Sequence, residues 1–371
     1  MATTDVLIIG GGVIGASIAY HLSQQGVGVT VLERHRTGGH ASRASAGLLH
    51  PLYDRAIPEP LRALSAASFA LFPDLVARLR ELTGVDAAYQ PCGWLRVALR
   101  EDAAAALQAR DFADSAAREY HLRLIDGDEA RTLEPALSPA VLAAVHAPCG
   151  AQVYVPALLQ AYLQAAARLG ATIRAGVEAR DLWTADSRVL GATTLDGERI
   201  AADHTVLAGG AWTALLAAQL GVPVPVFPMR GQILSLHALP APLRQVVFGS
   251  DVYLAPKVDG SIVAGATYED AGFDDRLTAA GVASLLASAQ LVVPALRDAT
   301  FRQAWVGLRP ASRDGLPLLG PVLGWQGVSV ATGHTAEGVL LSPITGLLMA
   351  QHVRGQPTAL SLAPFSLAHA R

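Results

Sequence analysis

Apolar residues crowd together at the start of the chain and then spread out. Val6, Leu7, Ile8 and Ile9 are contiguous, three glycines follow, and apolar positions then recur at helical spacing through Ala16, Ala19, Tyr20 and Leu22. An unbroken branched run fits a strand covered on both faces, as in a parallel sheet, and the change of period marks a helix. Gly26 or Gly28 ends that helix, and 29–32 reads as a second strand closed by Glu33. The opening is therefore a strand, helix, strand unit.

Further along, residues 60–82 place Leu61, Leu64, Phe69, Phe72, Leu75, Leu79 and Leu82 at helical intervals, with Thr83-Gly84 as the stop. Residues 88–99 predict a strand pair, 102–120 an alanine-rich helix, and 126–133 a short helix ahead of Pro135. Pro156 suits the first position of a helix over 157–169, and Gly170 its C′ position. A strand at 172–178 and a hairpin around Asp196-Gly197 come next, and 203–213 repeats the opening logic of a strand running into glycines, Gly209 and Gly210. From 222 to 302, prolines, the Asp259-Gly260 turn signal and alternating runs indicate an antiparallel sheet with one helix over 278–292. Residues 307–317 form a Pro/Gly-rich stretch, 328–332 a buried strand, 333–338 a turn, and Val339 opens a last helix.

Composition narrows this picture. The 371 residues suit two interleaved domains, and 51% hydrophobic against 16% charged residues implies a large buried volume. A net charge of −3 gives no basic face for nucleic acid. Cys92 and Cys149 form neither a disulfide framework nor a zinc motif, no metal is expected, and a reducing cytoplasm fits. Asp5 and the glycines argue against an export signal, and the lack of an apolar stretch of about 18 residues argues against a membrane span.

Candidate chemistry begins at the first turn. Gly10, Gly12 and Gly15 have the GxGxxG spacing: Gly10 for the tight turn, Gly12 for approach to a pyrophosphate, Gly15 for close helix–strand packing. Glu33, at the end of the second strand, can accept hydrogen bonds from a ribose and disfavours a 2′-phosphate. The small-residue segment 34–50 offers Ser42 and Ser45 as donors to a flat ligand, while composition alone is equally that of a surface loop. Gly209-Gly210 allow either close approach to a ligand or a plain turn. The 333–338 turn points free N–H groups and a helix dipole at a ligand.

In this order, GGGVIG, Glu33, the Ser/Ala/Gly loop to Gly47, the Ala208-Gly209-Gly210 turn, GLRP at 307–310 and the 333–338 turn resemble the FAD-dependent D-amino acid oxidase superfamily. Within it the chain is most similar to the glycine oxidases. The resemblance implies an α/β fold in which a Rossmann-like FAD-binding domain (1–85, 150–220 and 303–371) is interleaved with an antiparallel-sheet substrate domain (86–149 and 221–302). It implies non-covalent FAD, since neither a His-Ala-Ala-Gly arrangement before Gly47 nor a cysteine near Trp305 is present. Its diphosphate would lie at Gly10, Gly12, Val13, Ile14 and Gly15, and its ribose at Glu33 with Arg34. Ala41, Ser42, Ala46, Gly47 and Leu48 would line the ribityl and flavin part, Val177 the adenine, and Gly210 a further close approach. His334, Thr335, Ala336, Glu337, Gly338, Val339 and Leu340 would approach the pyrimidine end.

For substrate, the resemblance gives Arg309 as the carboxylate clamp and Tyr253 as its helper, although a structural arginine and a core tyrosine are the plain alternatives. Better-known glycine oxidases carry a second arginine in the last turn, where this chain has Ala336 beside Glu337; Tyr268 also alters the pocket. The implied reaction is oxidative deamination of glycine or another small amino acid to an imine, then keto acid and ammonia, with dioxygen reduced to hydrogen peroxide. A role in making the thiamine thiazole and a homo-oligomer are also in view. The rivals are a D-amino acid dehydrogenase that passes electrons to a quinone and a flavin-binding protein without turnover.

Overall fold

In a computed structural model, residues 2–35, 39–52, 57–109, 115–238 and 242–369 are described. Among them the strands form two eight-stranded sheets and one three-stranded sheet. The first is built on the opening strand, Ala2–Ile9, which lies parallel between Val29–Glu33 and Arg199–Leu207; Ile8 is in register with Val31 and with Val206. Thr172–Ala175 extends the sheet on one side, and Val328–Thr332 packs parallel to Arg199–Leu207 on the other. Its central residues are apolar on both faces because both are covered. Val6 and Ile8 join a core with the helices Val13–Ser23, Glu59–Thr83, Val155–Arg168 and Gly338–Val353, whereas Leu7 and Ile9 pack into a separate core with Leu207, Leu220 and Val330.

Local rules set the ends of these helices. Gly84 stops Glu59–Thr83 in the left-handed conformation at φ 75°, and Gly170, φ 102°, follows Val155–Arg168 at C′. A tight turn at Asp186 and Ser187, both with positive φ, joins Ala179–Ala185 to Arg188–Thr194 without any glycine. The hairpin expected at Asp196-Gly197 is present between Arg188–Thr194 and Arg199–Leu207.

The second sheet runs in the order Thr300–Ser312, Val226–His237, Ser261–Gly265, Tyr253–Pro256, Val246–Phe248, Trp94–Ala98, Ala143–Ala147, Arg123–Asp126. Every pairing is antiparallel except Val246–Phe248 on Trp94–Ala98. Helix Ala279–Val292, capped by Thr278 accepting from Gly281 N, covers one face through Leu285, Ala289 and Val292. The opposite face carries Trp94, Ile233, Tyr253 and Trp305.

Three expectations change. Residues 88–99 give two strands that never pair: Gln90–Pro91 joins Ala151–Gln152 in the three-stranded sheet, while Trp94–Ala98 enters the second sheet. Pro91 has no N–H for a ladder, and Gly93 sits so tightly between Gln245 and Ala147 that a Cβ would not fit. The alanine-rich segment is helical at Glu101–Gln108 and Ser115–Glu119; residues 110–114 lie outside the described residues, as do 36–38 of the loop after Glu33. The Pro/Gly-rich stretch from Gly307 is strand as far as Ser312, and Pro310 is tolerated because the strand is at the sheet edge. No described helix is long and apolar enough to cross a membrane.

Candidate active site

The carboxyl ends of the first sheet and the uncovered face of the second enclose one cavity of about 1050 Å³. Ligands of open α/β sheets bind at these strand ends. At the nucleotide end, Gly10 has φ 120° and lies against Ala208 O, and a Cβ on Gly15 would overlap Gly10 O. A Cβ on Gly12 would come within 3.2 Å of Ser42 Oγ, a tight contact on the side that faces the cavity. Helix Val13–Ser23 starts without a side-chain cap of its own; Val13 N donates instead to Ser42 Oγ at 3.0 Å. Its N-terminal amides and dipole therefore face the cavity, as an anionic diphosphate requires.

Glu33 organises the next part. Its Oε2 accepts from Gly11 N at 2.8 Å and its Oε1 from His35 N at 3.0 Å, and its backbone carbonyl accepts from Val177 N at 2.9 Å. Gly11, which the motif leaves unassigned, is thus as constrained as its neighbours: a Cβ would lie 2.8 Å from Glu33 Cβ. Trp212 is a second residue that sequence reasoning missed. The Arg34 guanidinium stacks 4.1 Å from its ring and His40 lies 4.5 Å from it.

The loop expected to meet the flavin is fixed from the second sheet. Ala41–Ala44 is a single helical turn, and Trp305 Nε1 donates to Ala44 O at 3.3 Å. Gly307 packs against the same turn, where a Cβ would lie 2.5 Å from Ala44 Cβ. Lys257 Nζ donates to Ala46 O at 2.6 Å and to Gln152 Oε1 at 2.7 Å. Burial pulls this ammonium down to about 8. No local pattern marks Lys257, because its partners are far away in sequence.

All the cofactor candidates line the cavity except Gly15, whose role is packing, and Leu340, whose side chain is in the core and whose carbonyl accepts from Ser68 Oγ at 2.7 Å. Gly210 is held through its carbonyl by Thr332 Oγ1 at 2.9 Å, and Thr335 N donates to Pro310 O at 2.9 Å, tying the last turn to the second sheet. In that turn His334 bonds Thr345 Oγ1 through Nε2 at 3.1 Å, while its Nδ1 has no partner among the described residues. Burial drives His334 down to about 3, so it is neutral. Glu337 goes the other way, raised by burial to about 7 against the opposing pull of Arg309.

At the far end, Arg309 and Tyr253 reach the cavity from the second sheet. Arg309 Nη1 donates to Thr267 O at 3.0 Å, and its guanidinium sits 4.3 Å from the Tyr268 ring. Gly231, on the neighbouring strand, leaves the space that the guanidinium fills. Tyr253 OH lies where a Cβ on Gly265 would stand, 2.6 Å away, and burial pushes its phenol up, so it remains a donor. A cation and a neutral hydroxyl on one cavity wall have the chemistry to hold a carboxylate.

The cavity, the tight glycine turn and the helix start that opens onto it fit FAD. This arrangement is that of a flavoenzyme, and the chain belongs to the FAD-dependent oxidoreductase (DAO) family, which matches residues 5–352. Glycine oxidase of Geobacillus kaustophilus is 38% identical over 98% of this chain and 96% of its own, and a crystal structure of glycine oxidase from that organism superimposes with TM-score 0.91 over 99% of both chains. Iminodiacetate oxidase from Chelativorans sp. BNC1 is 33% identical, with TM-score 0.89 over 97% of this chain and 98% of that one. The bifunctional protein ThiO/ThiG of Trichormus variabilis is 35% identical over 98% of this chain, which spans 54% of that longer protein. The protein is an FAD-dependent amino acid oxidase, and FAD is its cofactor.

Proposed function

We propose that the protein oxidatively deaminates glycine or another small amino acid, with dioxygen as the final acceptor and hydrogen peroxide, a keto acid and ammonia as products. The observation that carries this reading is that Arg309 and Tyr253, both from the second sheet, line the same cavity as the nucleotide turn. Arg309 and the Tyr253 hydroxyl hold the substrate carboxylate, which fixes the α-carbon and leaves the amine free to lose its proton. The α-hydrogen then leaves with its electron pair, the amine becomes an imine, and water hydrolyses the imine. FAD, when held at the glycine turn and the 41–48 loop, would supply the two-electron acceptor and the route to dioxygen. The chain's own share is orientation and electrostatics: the start of helix Gly338–Val353 directs positive dipole toward the cavity, and neutral His334 beside it adds no charge.

Ala336 in the last turn removes a second cation from the carboxylate's surroundings, so Arg309 carries the binding alone with Tyr253. The likeness to ThiO/ThiG supports supply of the thiamine thiazole as the physiological role. Anaerobic mixing with glycine and with D-amino acids, followed by flavin absorbance, tests the reading, and peroxide release in air tests the acceptor. Bleaching without peroxide, with electrons passed to a quinone, would replace it by a dehydrogenase. A flavin that no amine reduces would replace it by binding without turnover.

A further inference from the structure

One residue on the cavity wall is unused by this chemistry. In the second sheet the register places Arg96 opposite Phe248, Phe248 opposite Tyr253, Tyr253 opposite Gly265, Gly265 opposite Ile233, and Ile233 opposite Trp305. Residues paired across strands point to the same face, so this is one row of side chains crossing the sheet. Arg309 follows Trp305 by four residues on its strand and shares the face. Arg96 and Tyr253 are separated by a single strand, so their backbones are about 10 Å apart. The Arg96 guanidinium leans over that strand, 5.1 Å from the Phe248 ring, and the Phe248 and Tyr253 rings are 6.5 Å apart. Arg96, Phe248, Tyr253 and Arg309 all line the same cavity.

We infer that Arg96 is a distal anion site in the substrate pocket, and that the amino acids taken include those with a second carboxylate on the side chain. This deepens the oxidase reading and rests on it. With the α-carboxylate held by Arg309 and Tyr253, a side chain directed along the row passes over the Phe248 ring and ends at the Arg96 guanidinium. An apolar floor between two cationic ends suits methylenes flanked by carboxylates. His50, 5.3 Å from the Phe248 ring, completes the distal end as a neutral donor: burial first, then Arg96, lowers it to about 4. Asp251 and Glu337 line the cavity too, so the charge preference is a real competition.

The test uses the flavin-loaded protein and pairs matched in size: glutamate against glutamine and aspartate against asparagine, both enantiomers, with lysine as the opposite charge. The acid is expected to exceed its amide in kcat/KM by about tenfold or more for at least one pair, the range of a charge-assisted hydrogen bond. In Arg96→Gln this ratio falls toward one, and Arg96→Lys retains part of it. A readout independent of turnover is the perturbation of flavin absorbance by glutarate and by butyrate, which cannot be deaminated. Glutarate should bind at least tenfold tighter in the unaltered protein and lose that advantage in Arg96→Gln. No acid preference, a preference that survives Arg96→Gln, or a preference for lysine overturns the inference. If glycine and every other amine leave the flavin oxidised, the oxidase reading itself has failed, and the glutarate titration still decides whether Arg96 binds a distal anion.

Discussion

The two ends of the cavity are made differently. At the nucleotide end the contacts are mostly backbone contacts from residues close in sequence, Gly10, Gly11, Gly12 and Val13, gathered by two side chains, Glu33 on Gly11 N and Ser42 on Val13 N. At the substrate end the contacts are side chains from strands far apart in the chain, Arg96, Phe248, Tyr253 and Arg309, each placed by the pairing of its strand. A backbone cradle tolerates no added atom, whereas a side-chain pocket can exchange one group for another and remain folded. The first should vary by failing to form, the second by changing what it holds.

The sharpest way to break this contrast is at Gly15. Replacing it with Val drives a side chain into Gly10 O and Ile8, at a backbone contact that cannot yield. The expected result is protein without flavin, read as missing absorbance near the flavin band, with stability lowered by about 3 kcal/mol or more. Flavin retained at full occupancy would show that the cradle is more forgiving than its geometry. Next in size is Arg309→Leu, which removes the cation but keeps the fold. KM for the amino acid should rise by about 100-fold with flavin still bound; unchanged kinetics would remove Arg309 from the site.

A third effect spans both regions. His21 and His204, in the nucleotide part, and His50, at the cavity, are depressed by burial to about 4, and His334 to about 3. Unfolded histidine takes up a proton below about 6.5 while these stay neutral in the folded state, so stability is full above that pH and falls as pH drops toward 4. Urea midpoints at pH 7 and pH 5 should show a clear loss at the lower pH, and replacing His204 by Gln should reduce the slope. The smallest expected effect is at Glu337, raised to about 7 beside Arg309. Below that pH it is neutral; above it, its charge offsets the arginine, so KM should rise a few-fold between pH 6 and 8. Glu337→Gln should flatten that rise, and a profile identical to the unaltered protein would separate Glu337 from substrate binding.

What the sequence made legible follows the same division. The glycine spacing, the apolar run before it and Glu33 lie within one stretch, and each has a local reason that pattern reading can find. Gly209-Gly210 are undecidable locally, and only the folded chain shows that they line the cavity. Arg309 and Tyr253 are legible only through resemblance, since nothing local in GLRP or in the run 252–256 singles either residue out. Arg96, Lys257 and Trp212 escaped altogether. Each acquires meaning from a partner brought in by folding, as Lys257 does from Ala46, 211 positions away. The separation of residues 90–98 into two sheets was hidden for the same reason: short strands declare their period but not their partners.

The turn Ala41–Ala44, gripped from the second sheet by Trp305 and Gly307 while Ser42 serves the first helix, links cofactor loading to the mutual grip of the two lobes. Heating the loaded protein should therefore release flavin fluorescence and melt both halves in a single transition, while apoprotein should come apart in stages.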